Sequence, residues 1–280
     1  MTEKCCEKAV TGVKMIAAAA AAAALPCFLV APGKASRRQK APFIGVNFAH
    51  RGLHSRDKSI PENSLEAFRL AAQAGYGIEL DVQLSKDGQV VVFHDDTLDR
   101  VCGVHGNVCD RTYAELRELR LCGTEQRIPL FSQVLETIAG RGALIVELKS
   151  GKRNRELCEK TYDMLEDYRG DVCIESFDPR IVCWFRKHAG DLVRGQLAQP
   201  YKYYANEVSK PLAFLLSRGY TNVFTRPQFM AYRIDKEPLS TGLYYKMGGM
   251  RIGWTSHEPR NEEGRDSVIF EFYKPRQKYK

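Results

Sequence analysis

The stretch that decides the fold is Ile78-Glu79-Leu80-Asp81-Val82, in which aliphatic and acidic residues alternate. Successive side chains of a β-strand point to opposite faces, so the aliphatic residues would share one face and the two acids the other. The same alternation recurs in Leu144-Ile145-Val146-Glu147-Leu148-Lys149, where Glu147 and Lys149 lie opposite the aliphatic face. Because helices pack on the aliphatic face of a barrel strand, both stretches predict a barrel whose charged side chains point inward.

Strand-like and helix-like segments alternate along most of the chain, which predicts an α/β protein of the (β/α)8 TIM-barrel class. There are nine strand candidates for eight barrel positions, so either Gln89–Phe93 is half of a hairpin or Ser267–Phe272 lies outside the barrel. One helix, Ser64–Ala74, is predicted to begin with a capping box formed by Asn63 and Glu66. The strand candidates are Ile44–Ala49, Gly77–Leu84, Gln89–Phe93, Ala143–Lys149, Val172–Phe177, Leu192–Ala198, Asn222–Thr225, Arg251–Thr255 and Ser267–Phe272.

Length and charge divide the chain into two parts. Residues 1–41 form an apolar and basic leader, and residues 42–280, about 240 in number, suit one barrel-sized domain. The net charge of +8 lies at the ends, because seven basic and two acidic residues in 1–41 give +5 and four basic residues in the last seven give +4. The body between them therefore carries −1. With no basic stripe interleaved with aromatic residues in the body, no nucleic-acid partner is predicted.

The leader contains an apolar segment, Met15–Ala31, followed by a basic cluster in a predicted linker, residues 32–42. Three interpretations compete: a secretory signal, a single membrane helix and a soluble alanine-rich helix. The segment is slightly short for a membrane span, and Leu29-Val30-Ala31 is a poor cleavage site. Because the basic cluster follows the segment, we favour a weak membrane anchor with a cytoplasmic catalytic domain; a secreted protein is the alternative.

The nine cysteines lack the paired Cys-x-x-Cys spacing of a structural zinc site. We interpret them as free thiols in a reducing compartment. The alternative is a disulfide such as Cys102–Cys109 across a turn.

Three inward carboxylates, Glu79, Asp81 and Glu147, would meet near the carboxyl ends of their strands. Buried charges cost several kcal/mol each unless they are paired or bound to a metal. An all-oxygen set of ligands suits Mg²⁺ or Ca²⁺. The alternative for either strand is an internal salt bridge, for example between Glu147 and Lys149 or Arg51.

Two histidines, His50 and His94, follow predicted strands and stand beside the inward acids. Histidine changes protonation near neutral pH, so the pair suits a general base and a general acid. Arg51 and Lys149 could hold phosphate oxygens. Glu62, before a helix start, is a further site acid or else only stabilises the helix dipole. The other four histidines, His54, His105, His188 and His257, have no comparable setting and are interpreted as surface or structural residues.

An ordered series of short motifs runs through residues 44–255. In order and spacing it resembles the motif series of the glycerophosphodiester phosphodiesterase family; each motif alone is weak, but the ordered series is specific. The motifs are Ala49-His50-Arg51-Gly52, Pro61-Glu62-Asn63-Ser64, Ala67-Phe68, Glu79-Leu80-Asp81-Val82, Lys86-Asp87-Gly88, Val92-Phe93-His94-Asp95, Glu147-Leu148-Lys149, Ser176-Phe177-Asp178 and Trp254-Thr255.

The resemblance implies a TIM barrel with a small insertion, roughly residues 96–127, and hydrolysis of glycerophosphodiesters to an alcohol and glycerol 3-phosphate with a divalent metal. It implies that His50 and His94 are the acid–base pair. The metal ligands would be Glu79, Asp81 and Glu147, with Glu62 an additional acid. Arg51 and Lys149 would contact phosphate, and Trp254 would line the substrate mouth.

The end of the chain departs from the family pattern. Ser256-His257 follows Trp254-Thr255, and the last strand reads Val268-Ile269-Phe270-Glu271-Phe272, which resembles a variant found in some anaerobic Firmicute members. The departure bears on the choice of substrate more than on catalysis. Two alternatives remain: a lysophospholipase D acting on membrane lipids, for which an apolar mouth around Trp254 would speak, and a non-catalytic binding barrel.

Overall fold

The computed structural model describes residues 24–204 and 207–279. Eight parallel strands form a closed barrel, in the order β1, β2, β4, β5, β6, β7, β8, β9, and β9 pairs with β1 to complete the circle. The ninth strand, β3, pairs antiparallel with β2 as a hairpin outside the barrel. The strands are β1 (Asn47–Ala49), β2 (Gly77–Leu84), β3 (Val90–Val92), β4 (Leu144–Leu148), β5 (Val172–Ser176), β6 (Val193–Ala198), β7 (Phe229–Arg233), β8 (Met250–Ser256) and β9 (Ser267–Phe270).

The TIM-barrel prediction is therefore confirmed, and the hairpin explanation of the ninth strand is the correct one. Helices cover the outside. They are α1 (residues 24–30), α2 (Arg37–Lys40), α3 (Leu65–Gln73), α4 (Asp99–Cys102), α5 (Tyr113–Leu116), α6 (Phe131–Ile138), α7 (Asn154–Glu166), α8 (Pro179–His188), α9 (Lys210–Ser217), α10 (Asn222–Thr225) and α11 (Leu239–Lys246). Short 3₁₀ turns lie at Ala41–Phe43, Val108–Asp110, Leu121–Gly123, Tyr201–Tyr204 and Pro259–Glu262.

The alternation in β2 and β4 divides the two faces as predicted. Ile78, Leu80 and Val82 pack with side chains from the surrounding helices in the outer core. The barrel interior has its own apolar cluster, to which Ile145 and Phe229 belong. The acids of β2 and β4 share the inner face with that cluster, so apolar packing fills one part of the barrel and charged groups gather in another.

The insertion between β3 and α6 is a small unit with its own core. Val91, Leu98, Leu116 and Ile128 are among its buried side chains. It contributes α4 and α5 and lies beside the β2–β3 hairpin. Its position matters for the site because α4 carries Arg100.

The predicted linker, residues 32–42, and the end of the apolar segment before it are docked on the barrel. Val30 is fully buried against it. The Gly33 amide donates to the Pro227 carbonyl at 2.9 Å, and the Lys40 ammonium donates to the Gly248 carbonyl at 2.7 Å. These partners directly precede β7 and β8, so the segment covers the amino-terminal face of the barrel, opposite the ends where the predicted site residues lie.

Most of the predicted apolar segment Met15–Ala31 lies outside the described residues. Within 24–204 and 207–279, no helix combines the length and apolarity required to cross a bilayer. The cysteines in these ranges are all free thiols, including Cys102 and Cys109, so the proposed disulfide between those two is absent.

One predicted strand was wrong. Asn222–Thr225 is the short helix α10, and the barrel strand at this position is Phe229–Arg233. Asn222 and Thr225 are both buried whereas Phe224 is exposed. That spacing fits one helical face; in a strand, Asn222 and Phe224 would point the same way.

The predicted capping box of α3 was also wrong. Ser64 is the N-cap and accepts from the Ala67 amide at 3.2 Å. Asn63 turns inward instead, and its amide donates to Asp81 Oδ2 at 2.9 Å. Glu66 pairs with Arg69 on the surface. Asn63, which was predicted to cap the helix, thus forms a hydrogen bond inside the barrel instead.

Candidate active site

The predicted site residues converge at the carboxyl-end mouth of the barrel. Active sites of TIM barrels are built at this face from the loops that follow the strands. His50 and Arg51 follow β1, His94 follows β3 and Lys149 follows β4. The remaining predicted residues are Glu62 in the loop before α3, Glu79 and Asp81 in β2, Glu147 in β4 and Trp254 in β8.

Glu79, Asp81 and Glu147 form a compact acidic triad. One oxygen from each lies within 4.8 Å of the others, and all three residues are buried. The barrel register places Asp81 beside Glu147 on adjacent strands. Burial, together with the charges of Asp81 and Glu147, raises the pKa of Glu79 well above its usual range. Three crowded carboxylates, one of whose oxygens, Asp81 Oδ1, accepts no hydrogen bond, match the oxygen donors that a hard cation takes.

Two cationic side chains border the triad. Lys149 Nζ lies 2.8 Å from Glu147 Oε1 and 3.5 Å from Asp81 Oδ1. Arg51 Nε lies 3.4 Å from Asp81 Oδ2, and its backbone amide donates to Glu79 Oε2 at 2.9 Å. Burial works against the ammonium of Lys149, but Glu147 and Asp81 outweigh it and raise the pKa of that lysine. The internal salt bridge between Glu147 and Lys149 is therefore present together with the acidic triad. The side chains of Arg51 and Lys149 both remain positively charged.

His50 stands between two carboxylates. Its Nδ1 lies 3.1 Å from Glu271 Oε2, and its Nε2 lies 3.9 Å from Glu79 Oε2. Burial and the neighbouring charge of Arg51 lower the pKa of the imidazole. Both effects favour the neutral form of the ring, which is the form that can accept a proton.

His94 also has a carboxylate on Nδ1, at 2.6 Å from Asp95 Oδ1. Arg100 in the insertion donates to both oxygens of Asp95, at 2.6 and 3.0 Å, and to both oxygens of Glu62, at 2.7 Å each. Glu62 also accepts from Arg51 Nη1 at 2.7 Å. Burial opposes the ionisation of Glu62, but the two arginines lower its pKa to about 2. Glu62 is thus an ionised bridge between the insertion and the mouth.

Trp254 lies on the other side of the mouth. Its indole Nε1 donates to the carbonyls of Ala198 and Ala231 at 3.0 and 3.1 Å, which fixes the ring. The edge of Phe177 meets it at a centroid distance of 5.7 Å, and the Arg233 guanidinium lies 5.4 Å from its ring centre. The ring is therefore part of an aromatic wall.

Two acids of the mouth were missed from the sequence. Glu175 in β5 pairs in register with Glu147 and is buried, and its Oε2 has no hydrogen-bond partner. Burial, with Glu147 and Asp81 nearby, raises the pKa of Glu175 well above its usual range. The alternation of Cys173-Ile174-Glu175 would have identified it, by the argument that identified Glu79.

Glu271, just after β9, is the second missed acid. Besides His50 it has His54 Nε2 and His257 Nε2 within 3.6 Å of its oxygens. These two histidines were interpreted as surface or structural residues; His257 is half exposed, the side chain of His54 is 9% exposed, and both lie beside Glu271. Only closure of the barrel brings Glu271 to His50.

Known proteins share this chain's sequence pattern. The family model described as the glycerophosphoryl diester phosphodiesterase family matches residues 50–230. A glycerophosphodiester phosphodiesterase of Caldanaerobacter subterraneus is 37% identical over 164 residues, which are 54% of this chain and 65% of that protein. The lysophospholipase D GDPD1 of Rattus norvegicus is 32% identical over 151 residues, 49% of this chain and 46% of that protein. The matched region thus spans less than two thirds of these relatives.

A solved structure shares the fold. The Oleispira antarctica phosphodiesterase, determined in complex with sn-glycerol-3-phosphate, superposes with a TM-score of 0.67 at 22% identity, covering 82% of this chain and 94% of that one. At this identity the likeness establishes the barrel architecture. The family model covers well over half of the chain, and on that match this chain belongs to the glycerophosphoryl diester phosphodiesterase family.

Proposed function

We propose that this chain hydrolyses glycerophosphodiesters to an alcohol and glycerol 3-phosphate at the barrel mouth. The observation that carries the proposal is the convergence of a buried acidic triad with two histidines, each with a carboxylate on Nδ1. The triad supplies oxygen donors for a cation, and the histidines supply two groups that exchange protons near neutral pH. Together they can supply stabilisation of the phosphoryl charge and transfer of protons, two contributions that speed cleavage of a phosphodiester.

Arg51 and Lys149 would contact the phosphate. Both are charged, and both lie against the triad rather than in bulk water. Arginine can hold two non-bridging oxygens through its fork, and lysine acts as a point charge. Their attraction for the phosphoryl oxygens grows as negative charge develops there, which lowers the barrier to reaction.

The residues present fit a divalent metal, with Glu79, Asp81 and Glu147 as the holders. The fit rests on the crowding of three buried carboxylates and on Asp81 Oδ1, which accepts no hydrogen bond. Oxygen-only donors favour Mg²⁺ or Ca²⁺. When bound, such an ion would stabilise negative charge on the phosphoryl group.

His50 and His94 would move the protons. His50 can take a proton from the nucleophile, which is either a water or the neighbouring glycerol hydroxyl. If the hydroxyl attacks, a cyclic phosphate forms as the alcohol leaves, and a water must then open that ring to give glycerol 3-phosphate. His94 can then give a proton to the departing alcohol. Groups of this kind contribute about 10²–10⁴-fold each. Asp95 and Arg100 keep the His94 ring oriented.

The decisive experiment measures hydrolysis of a panel of glycerophosphodiesters with Mg²⁺, Ca²⁺ or chelator. His50→Ala and His94→Ala should each lower kcat by about 10²–10⁴-fold while the melting temperature stays near that of the parent. His105→Ala, on a side chain that is 97% exposed, is the matched control and should keep full activity. Binding of the diester without turnover, even with metal added, would favour a non-catalytic barrel instead.

A second candidate is a lysophospholipase D activity on lysolipids. The aromatic wall of Phe177 and Trp254 favours it, since Phe177 continues into the apolar cluster of α9, where Phe214 and Leu215 are exposed. An acyl chain could lie along this surface. Comparing glycerophosphocholine with lysophosphatidylcholine decides, and Phe177→Ala should weaken turnover of the lysolipid alone if this candidate is right.

We also propose that the segment 15–31 attaches the chain to a membrane with the catalytic domain in the cytoplasm. Leu25 and Phe28 in the described part of the segment are exposed, which supports an apolar contact. Fractionation of cells that express the full chain, with and without washing at high pH, tests the attachment. Recovery in the culture medium would favour the secreted alternative.

A further inference from the structure

Glu271 lies at the junction of three histidines. Its Oε2 is 3.1 Å from His50 Nδ1 and 3.6 Å from His54 Nε2, and its Oε1 is 3.6 Å from His257 Nε2. Its side chain is only 14% exposed. In residues 24–204 and 207–279, these histidines are the only groups able to carry a positive charge within 4.0 Å of the carboxylate.

The register of barrel closure holds Glu271 in place. Ala49 of β1 pairs with Phe270 of β9, so the residues that follow them, His50 and Glu271, lie side by side. The His50 amide donates to the Phe270 carbonyl, and the Glu271 amide donates to the Ser256 carbonyl, both at 2.9 Å. The carboxylate is thus fixed by backbone bonds on both neighbouring strands.

The aromatic ring after Glu271 packs the histidines around it. Phe272 meets the edge of His54 at a centroid distance of 4.9 Å, and it lies parallel to His257 at 6.2 Å. Its backbone has a φ of +63°, a conformation that non-glycine residues rarely adopt. The strained turn directs Glu271 into the mouth and Phe272 away from it.

An ionised Glu271 decides which nitrogen of His50 carries the proton. Burial opposes the charge on Glu271, but the hydrogen bond to His50 and the nearby imidazole of His54 lower the pKa of its carboxyl. A carboxylate only accepts hydrogen bonds, so Nδ1 of neutral His50 must donate. The lone pair is then on Nε2, the nitrogen that faces Glu79 and the triad.

We propose that Glu271 is the positioning residue for His50: it fixes the tautomer with hydrogen on Nδ1 and so presents Nε2 to the reaction as a base. The inference rests on the hydrolysis proposed above and extends it to a residue outside the quoted motifs. Asp95 differs from Glu271 because Arg100 shares its charge. The undivided charge of Glu271 stabilises the imidazolium that forms when His50 takes a proton, which assigns the base role to His50.

Kinetics of Glu271→Gln and Glu271→Ala test the proposal. Both should lose about 10–100-fold in kcat, the range found when partners that orient a site histidine are removed. KM and the affinity for Mg²⁺ or Ca²⁺ should change less than about threefold, because Glu271 touches neither the triad nor the phosphate contacts. Glu258→Gln, on the same β8–β9 connection and 44% exposed, is the control and should keep full activity.

Formate offers a rescue that a purely structural role would not show. A cavity of about 440 Å³ is lined in part by His54, whose Nε2 lies 3.6 Å from Glu271 Oε2, and by Phe272, the residue after Glu271. Formate added to Glu271→Ala should enter from there and restore part of kcat. Restored activity also shows that the variant is folded.

The tautomer itself can be read by nitrogen NMR of protein labelled at its six histidines, with His50→Gln identifying the signal. The parent should show hydrogen on Nδ1 of His50, and Glu271→Ala should shift it toward Nε2. An unchanged kcat in both Glu271 variants, or hydrogen on Nε2 in the parent, would overturn the inference. Full activity of His50→Ala would instead overturn the proposed function, so the two failures are distinguishable.

Discussion

Lys149→Met should destabilise the metal-free protein. The ammonium lies 2.8 Å from Glu147 and 3.5 Å from Asp81, and its side chain is 16% exposed. Removing one partner of a buried ion pair costs about 3–5 kcal/mol, because the remaining charges stay buried without compensation. For a domain of this size each kcal/mol lowers the melting temperature by about 2–4 °C, so the expected loss is about 6–20 °C.

Metal should act in the opposite direction on the same variant. An ammonium among the carboxylates repels a dication, so its removal should tighten Mg²⁺ or Ca²⁺ binding by about tenfold, which corresponds to about 1.4 kcal/mol. Saturating metal should therefore raise the melting temperature of the variant more than that of the parent. Turnover should nevertheless fall by about 10²–10³-fold, because a charge that stabilises the phosphoryl group is lost.

Calorimetric unfolding in chelator and in excess metal measures the stability of the metal-free and metal-bound protein. Titration calorimetry measures the affinity for the ion. Lys152→Met, at an exposed position three residues further along the chain, should stay within about 0.5 kcal/mol of the parent. If chelated Lys149→Met is as stable as the parent to within about 1 kcal/mol and binds metal no more tightly, then Lys149 does not compensate buried charge and the electrostatic account of the mouth is wrong.

Three further outcomes follow from other contacts. Arg100→Met should lower kcat by about 10–100-fold, because it releases the Asp95 carboxylate that orients His94. Metal binding should not weaken. Steady-state kinetics measure kcat, and titration calorimetry measures the affinity for the metal. The pKa of Glu62 is lowered from 4.5 to about 2, so its ionised carboxylate stabilises the fold by about 3 kcal/mol above pH 4.5. This stabilisation is lost as the pH falls from 4.5 toward 2. The difference in free energy of unfolding by urea between the parent and Glu62→Gln should therefore shrink between pH 4.5 and pH 2. Gly33→Ala would place a Cβ 2.1 Å from the Arg226 carbonyl oxygen, so it should release the docked segment, and limited proteolysis should cleave residues 24–46 faster while the barrel stays intact.

Local alternation was sufficient to predict the acidic triad. In β2 and β4 each residue's face follows from its parity, and the face made up entirely of aliphatic residues packs against the helices, so Glu79, Asp81 and Glu147 were predicted to point inward. No knowledge of neighbouring strands was required. The same rule would have predicted Glu175, because Val172 and Ile174 alternate with Cys173 and Glu175 along that strand.

The two wrong predictions, of a strand at Asn222–Thr225 and of a helix cap at Asn63, lie where segments distant in sequence pack together. Asn222–Thr225 has strand-like composition, but its buried Asn222 donates weakly to the Val30 carbonyl of the docked segment, at 3.4 Å. Asparagine is a common helix cap, but the side-chain amide of Asn63 donates a hydrogen bond to Asp81 instead. Local preference is a weak signal when a tertiary contact competes with it.

The pairing of His50 with Glu271 joins residues 221 positions apart. It depends on the register between the first and last barrel strands, and shifting that register by one residue would turn Glu271 to the outer face. Register is set by the closure of the whole barrel rather than by the residues of either strand. For this reason the site histidines could be predicted from the sequence and the partner that orients one of them could not.

The charge balance of the mouth is consistent with the proposal that one site binds both a cation and a phosphate. Four buried carboxylates border two cationic side chains: Glu79, Asp81, Glu147 and Glu175 against Arg51 and Lys149. If all were ionised, two negative charges would be uncompensated, and burial responds by raising the pKa of Glu79 and Glu175. A divalent ion carries the charge that balances the carboxylates. Once a divalent ion neutralises the carboxylates, the positive charges of Arg51 and Lys149 are free to attract the negative charge of a phosphodiester. Binding of the metal would therefore favour binding of the substrate.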